Sequence, residues 1–292
     1  MEDTLREAKN ATVAIGHLDS PSGSPNAAAS FSISSAGFLY AYTPPEFIQG
    51  KSEPDEQGNV YYWVHLWVVT CHHSIKNLSM PIVRLDSKSA GTAIYTIPAN
   101  QWYAHPTEDV AVARLRLASA DKPTASSLTK LEDTDIVTFN SSSVALRQQL
   151  ATMGFYEYTP VAMIGFPIGR IEGGGKNYPV VRSGRIAQIQ GYVDGDPEHK
   201  SFLVDGSAFP GNSGGPVVIP GGTRSPKGEK VLSSTVLVGM VANSKVRLWK
   251  DQQSGQSVTA ENLDLTGVVT MEAVHETISQ VLAAANAKTA SQ

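Results

Sequence analysis

With 292 residues, 41% of them hydrophobic and only 17% charged, the chain is long enough for one or two packed domains and too apolar to be disordered. Its formal net charge is -4, and its 23 lysines and arginines are scattered, which excludes a basic stripe for nucleic acid or an anionic membrane surface. A single cysteine, Cys71, excludes an intrachain disulfide and fits a reducing compartment or a bacterial lineage.

The first residues, Met1-Glu2-Asp3-Thr4-Leu5-Arg6-Glu7, are acidic and amphipathic and lack the basic and apolar regions of a signal peptide. No later run approaches the roughly 18 apolar residues of a membrane span, so a soluble cytoplasmic protein is the expectation. Short apolar runs bounded by turn residues then predict strands at 11–17, 36–42, 60–70, 80–86, 92–98 and 110–116. A polar Gly-Pro-Glu-Asp loop at 47–59 interrupts them. The stretch 117–159 is first Ser- and Thr-rich and then carries Ala145-Leu146-Arg147-Gln148-Gln149-Leu150, a predicted helix. Six more strands are predicted at 160–166, 178–190, 201–205, 215–219, 231–243 and 266–270, with a second polar loop at 220–230. Met271, Val274, Ile278, Val281 and Leu282 recur at helical spacing and make one apolar face, expected to bury core surface. No internal repeat is present.

The chemistry concentrates in Gly211-Asn212-Ser213-Gly214-Gly215, followed by Pro216-Val217-Val218. A serine between glycines has an uncrowded hydroxyl, and the glycines let backbone N–H groups turn toward the oxygen it attacks, as acyl transfer requires. The stretch also satisfies G-x-S-x-G, the α/β-hydrolase elbow, and Asp251, Asp264 and His275 follow in the order that fold needs. That elbow passes from the serine into a helix, whereas Pro216, two valines, Ile219 and then Pro220-Gly221-Gly222 read as a short strand ended by a turn. A serine nucleophile needs a base, and the base a carboxylate. Thr70-Cys71-His72-His73 ends one apolar strand, and Glu108-Asp109-Val110-Ala111 opens another. Taken singly, a Ser-Gly pair is a turn, a histidine a surface or core residue and an aspartate a cap; their joint occurrence in order points to a site.

These three blocks, in this order, resemble the catalytic blocks of chymotrypsin-like (trypsin-fold) serine peptidases. In that family the histidine lies three residues after the threonine and the aspartate directly precedes a Val/Leu-Ala pair, which selects His73 over His72 and Asp109 over Glu108. Met163-Ile164-Gly165-Phe166-Pro167-Ile168-Gly169 and Val180-Val181-Arg182-Ser183-Gly184-Arg185-Ile186 are similar to segments of the bacterial HtrA/Deg-like and glutamyl-endopeptidase-like branch. Only ten residues follow Leu282, so no PDZ domain is expected.

The resemblance implies an all-β fold of two six-stranded antiparallel barrels and a C-terminal helix. It implies an N-terminal barrel at 1–125 carrying His73 and Asp109, an inter-barrel segment at 126–158, and a C-terminal barrel at 159–292 carrying Ser213. His73 would act as base, Asp109 would orient it, and the N–H groups of Gly211 and Ser213 would form the oxyanion hole. The substrate would be a protein or peptide, with no metal or cofactor required; a regulatory protein partner is left unnamed. A silent trypsin-fold binding module and an α/β-hydrolase esterase are the alternatives. By position, Ser207 would form the base of the S1 pocket, with Ala208 and Phe209 on one side and Val241, Ala242 and Asn243 opposite. No acid or histidine is expected at its base, so an apolar P1 residue of small to medium size is expected. His72, Glu108 and Cys71 are expected to stand outside the chemistry. Asn212 stands where digestive trypsins have the aspartate that pairs with a newly cut amino terminus, so activation by that ion pair is not expected.

Overall fold

The computed structural model describes residues 2–18, 31–48, 64–87, 91–115, 137–167, 176–196, 199–226, 228, 231–250 and 257–290. A first helix, α1 (Glu2–Ala11), leads into β1 (Thr12–Leu18), β2 (Phe31–Ala41) and β3 (Leu66–Thr70), and then into the single turn α2 (His72–Ile75). The first half continues with β4 (Ile82–Ser87), β5 (Gly91–Thr96), β6 (Trp102–Ala104), β7 (Ala111–Arg114) and β8 (Phe139–Asn140). The second half comprises α3 (Arg147–Met153), β9 (Pro160–Gly165), β10 (Val180–Gln188), α4 (Gln190–Val193), β11 (Ser201–Asp205) and β12 (Pro216–Ile219). It ends with the hairpin β13 (Val236–Lys250) and β14 (Ser257–Thr270), followed by the helix α5 (Met271–Ala290).

The six strands of the second half close into an antiparallel barrel in the order β10-β11-β14-β13-β12-β9. Those of the first half form one sheet in the order β5-β4-β1-β2-β3-β7-β6, with β8 pairing in parallel on β2. The all-β, two-unit architecture with a C-terminal helix is therefore present. The first unit differs in detail from six strands in a barrel, because β6 and β8 are added and the hydrogen-bonded path is open among the described residues. At three and two residues these strands are too short to show an alternating pattern. Residues 49–63, the segment 116–136, and Ile168 and Gly169 lie outside the described residues, which removes most of the predicted loop at 47–59 and the start of one predicted strand. At the loop 220–230, Arg224 bridges Val231 and donates to the carbonyl of Gly228 at 2.9 Å.

The strands are apolar on both faces because each unit sits between two cores. Along β2, Leu39 points into the first-half core with Val13, Val68 and Val83, while Phe38 and Tyr40 point into the layer between the units. Along β12, Val217 and Ile219 fill the barrel with Met163, Val204 and Val238, while Val218 faces that same layer. Alternation at a period of two thus glues the units together as well as filling them. Each fully buried side chain of this size contributes about 1.5–3 kcal/mol relative to exposure.

The helix α5 buries its apolar face against both halves. It packs against β6 and β7 of the first unit and against β13 and β14 of the second. Met271, Val274 and Ile278 are fully buried in the shared layer. Its polar residues at spacing i, i+3 and i+4 reach both units. Glu272 accepts the N–H of Arg147 at 2.7 Å and the hydroxyl of Tyr192, His275 stacks on Tyr42 with ring centroids 4.0 Å apart, and Glu276 accepts from Lys200 at 2.9 Å. Among the described residues, no helix is long and apolar enough to cross a membrane.

Candidate active site

Ser213 lies where the two units meet. Its carbonyl accepts the N–H of Ala36 in β2 at 2.9 Å, and the next N–H, that of Gly214, is donated to the carbonyl of Val241 in β13 at 2.7 Å. Gly214 has φ +79, and a Cβ there would stand 2.3 Å from Thr70 Oγ1 and 2.4 Å from the carbonyl oxygen of Ala36, so the close approach needs glycine. The chain leaves the serine as the strand β12, with no helix after it. That removes the elbow reading, which requires one. Gly211, at φ +97, turns the backbone just before the serine, and Asn212 N–H closes the turn on Phe209 O at 2.9 Å. Among the described residues the N–H groups of Gly211 and Ser213 have no hydrogen-bond acceptor, which leaves both donors available to an oxyanion. Asn212 itself is buried, and its side-chain oxygen has no partner among the described residues.

His73 and Asp109 come from the two strand mouths of the first unit. The turn α2, after β3, presents His73, and the loop before β7 presents Asp109. Asp109 accepts from the backbone N–H of His73 at 2.9 Å and from its ring Nδ1 at 2.5 Å. Burial pushes the Asp109 carboxyl up, but the hydrogen bonds from the His73 ring and backbone, then the His73 charge and the Cys71 thiol, outweigh it and hold the group below its ordinary value. An ionised Asp109 can only accept, so Nδ1 of His73 carries the proton and Nε2 of the neutral ring carries the lone pair. His72, one residue earlier, makes no such contact with Asp109.

Cys71 is fully buried beside this pair and donates to the carbonyl of Val241 at 3.2 Å. Burial, then the charge of Asp109, pushes its thiol up, so it stays protonated and is no nucleophile. Cys71, His73 and Asp109 do offer a sulfur, a ring nitrogen and a carboxylate oxygen within 4.8 Å of one another. The nitrogen and oxygen of that set are instead joined in a direct 2.5 Å hydrogen bond, closer than the roughly 3.4 Å that separates two tetrahedral ligands about 2.1 Å from one ion.

His73 and Ser213 line one open cavity of about 720 Å³. Ala208, Phe209, Val241, Ala242 and Asn243, read from the sequence as pocket walls, line it too. The Ser213 hydroxyl donates to the carbonyl of Ala242 at 3.4 Å. Ser207 is not part of the lining: its hydroxyl is bonded to the carboxylate of Asp264. The hydroxyl expected at the pocket base is thus held by a carboxylate that the sequence reading does not place beside it. Asp264 enters the sequence reading only for the elbow, and its meeting with Ser207 is missed because β14 carries it there from 57 residues away, in the left-handed conformation at φ +54. Ser244 was also missed; its hydroxyl donates to the Ala208 carbonyl at 2.6 Å and so ties two walls of the cavity together. Phe209 sits at the mouth with the Arg182 guanidinium 4.6 Å from its ring centroid.

No curated protein matches the chain at a significant level. Among solved structures, the apo crystal structure of the MamO protease domain from Magnetospirillum magneticum is similar at 14% identity, covering 93% of this chain and 97% of that one with a TM-score of 0.45. The family described as "Trypsin-like peptidase domain" matches residues 53–223, more than half of the chain and all three of the blocks that bear His73, Asp109 and Ser213. The chain therefore belongs to the trypsin-like peptidase domain family.

Proposed function

We propose that the protein is a serine endopeptidase in which Ser213, His73 and Asp109 act as a triad. Ser213 Oγ attacks a peptide carbonyl, His73 Nε2 takes its proton and returns it to the leaving amine, and the N–H groups of Gly211 and Ser213 receive the oxyanion. Water then cleaves the acyl-enzyme by the reverse proton path. The observation that carries this reading is the Asp109-held imidazole of His73 opening on the same cavity as Ser213. The serine hydroxyl is bonded weakly to Ala242 O at 3.4 Å, and rotation about its side-chain bond would release it toward His73.

The same reading assigns the chain to the bacterial HtrA/Deg-like or glutamyl-endopeptidase-like branch, supported by Gly165-Phe166-Pro167 leaving β9 and by β10 pairing back on it. It divides the chain into units at 1–125, 126–158 and 159–292, acts on protein or peptide substrates, and places the protein in the cytoplasm, supported by the one buried free thiol. Incubation with casein and a peptide library tests it. Wild-type protein should cleave and Ser213→Ala should not. Cleavage by neither would favour a silent binding module, and equal cleavage by both would place the nucleophile elsewhere.

A further inference from the structure

The loop that presents Asp109 is closed by a buried histidine outside the proposed triad. His105 has a side chain only 2% exposed, and its backbone N–H is donated to the carbonyl of Val110 at 2.9 Å, so residues 105–110 form a closed loop around Asp109. Two backbone donors converge on its Nδ1: the N–H of Glu108 at 2.9 Å and the N–H of Thr107 at 3.2 Å. A nitrogen facing two backbone N–H groups must present its lone pair, so the ring proton lies on Nε2. Nε2 then donates to Glu276 Oε2 in α5 at 3.2 Å, and that same oxygen accepts from Lys200, just before β11, at 2.9 Å.

We propose that His105 is a positioning residue: it clamps the loop bearing Asp109 to the C-terminal helix and, through Glu276 and Lys200, to the barrel that bears Ser213. The two ring nitrogens have separate tasks. Nδ1 gathers the N–H groups of residues 107 and 108, which fixes the backbone immediately before Asp109. Nε2 sets where that loop stands relative to the second unit. The reacting atoms of the triad come from different units, so a small displacement of this loop moves Asp109, and with it His73, relative to Ser213.

The inference rests on the proposed peptidase reading, and its test keeps the two apart by adding a readout that needs no turnover. The hydrogen bond between His73 Nδ1 and Asp109 should give a far-downfield proton resonance that His73→Ala abolishes. In His105→Ala that resonance should broaden or move upfield, and kcat should fall by about tenfold to a hundredfold with KM little changed. His105→Asn places an amide oxygen near the lost Nδ1 acceptor and should restore the resonance and part of kcat. Glu276→Leu should lower kcat while keeping the resonance, because it cuts only the link to α5. A normal resonance and kcat in folded His105→Ala would overturn the proposal, as would equal impairment of His105→Ala and His105→Asn. If His105→Ala fails to fold, His105→Asn and Glu276→Leu decide it, and wild-type behaviour of both would overturn it. Wild-type protein without turnover but with the predicted resonance changes would retain the clamp and remove the peptidase reading.

Discussion

Tyr40 and His275 share a 2.6 Å hydrogen bond between hydroxyl and Nε2, at the place where β2 of the first unit meets the C-terminal helix. With Tyr42 stacked on the same imidazole, the ring is desolvated, and burial drives its pKa down to about 4. An unfolded chain protonates histidine near 6.5, so between about pH 6.5 and 4 the unfolded state binds more protons than the folded one. The contribution to stability is complete above pH 6.5, is lost progressively as pH falls to about 4, and is constant below that. The gap corresponds to roughly 3 kcal/mol. Chemical denaturation across this window should show that slope, and His275→Phe, which keeps the stack but cannot titrate, should flatten it. An unchanged slope would place the titrating group elsewhere.

The two adjacent histidines should separate cleanly. His73→Ala removes the ring that Asp109 holds and should lower kcat/KM by on the order of 10⁴ or more, whereas His72→Ala should retain most activity. Steady-state kinetics on one peptide substrate checks both. The reverse ranking would shift the base by one residue.

Asp109 is held ionised below the ordinary carboxylate range, so it should add no second proton to the acid side of the rate profile. The kcat/KM should therefore rise about tenfold per pH unit, with a slope of one, and reach a plateau once the base is neutral. Asp109→Asn should lower kcat by roughly four orders of magnitude by permitting the wrong tautomer of His73. A limiting slope of two would mean that a second group titrates with the base.

The bond from Ser244 to the Ala208 carbonyl ties the walls of the cavity and should favour a small P1 side chain. Ser244→Gly removes the tie and should raise kcat/KM for Leu or Phe relative to Ala at P1 by about tenfold. A P1-varied peptide series measures the ratio. No change in rank order would show that the tie does not limit the pocket.

Much of this arrangement is legible in the sequence because its signals are local. The glycines around Ser213, the strand after it, and the two strand mouths bearing His73 and Asp109 are each contained in a few consecutive residues. All six strands of the barrel are found as short apolar runs bounded by turn residues, β9 and β12 being buried along nearly their whole length. The outer reach of the β13–β14 hairpin is not, because its few apolar residues, such as Val246 and Leu248, are interleaved with charged and polar ones that read as loop. The contacts that shape the site around the triad stay hidden for a related reason. Ser244 meets Ala208 across 36 residues, Asp264 meets Ser207 across 57, and Glu276 meets His105 across 171. The helical spacing of α5 reveals its apolar face, but its polar residues gain their meaning only when Glu272, His275 and Glu276 are seen to reach both units.

The central claim is that Ser213 is a nucleophile activated by His73, and covalent labelling with a fluorophosphonate followed by peptide mass mapping tests it most directly. The purified full chain, without N-terminal cleavage, should take up one phosphonyl group on Ser213, with labelling abolished in Ser213→Ala and strongly slowed in His73→Ala. Absence of labelling in the wild-type protein, or labelling that persists in Ser213→Ala, would contradict it.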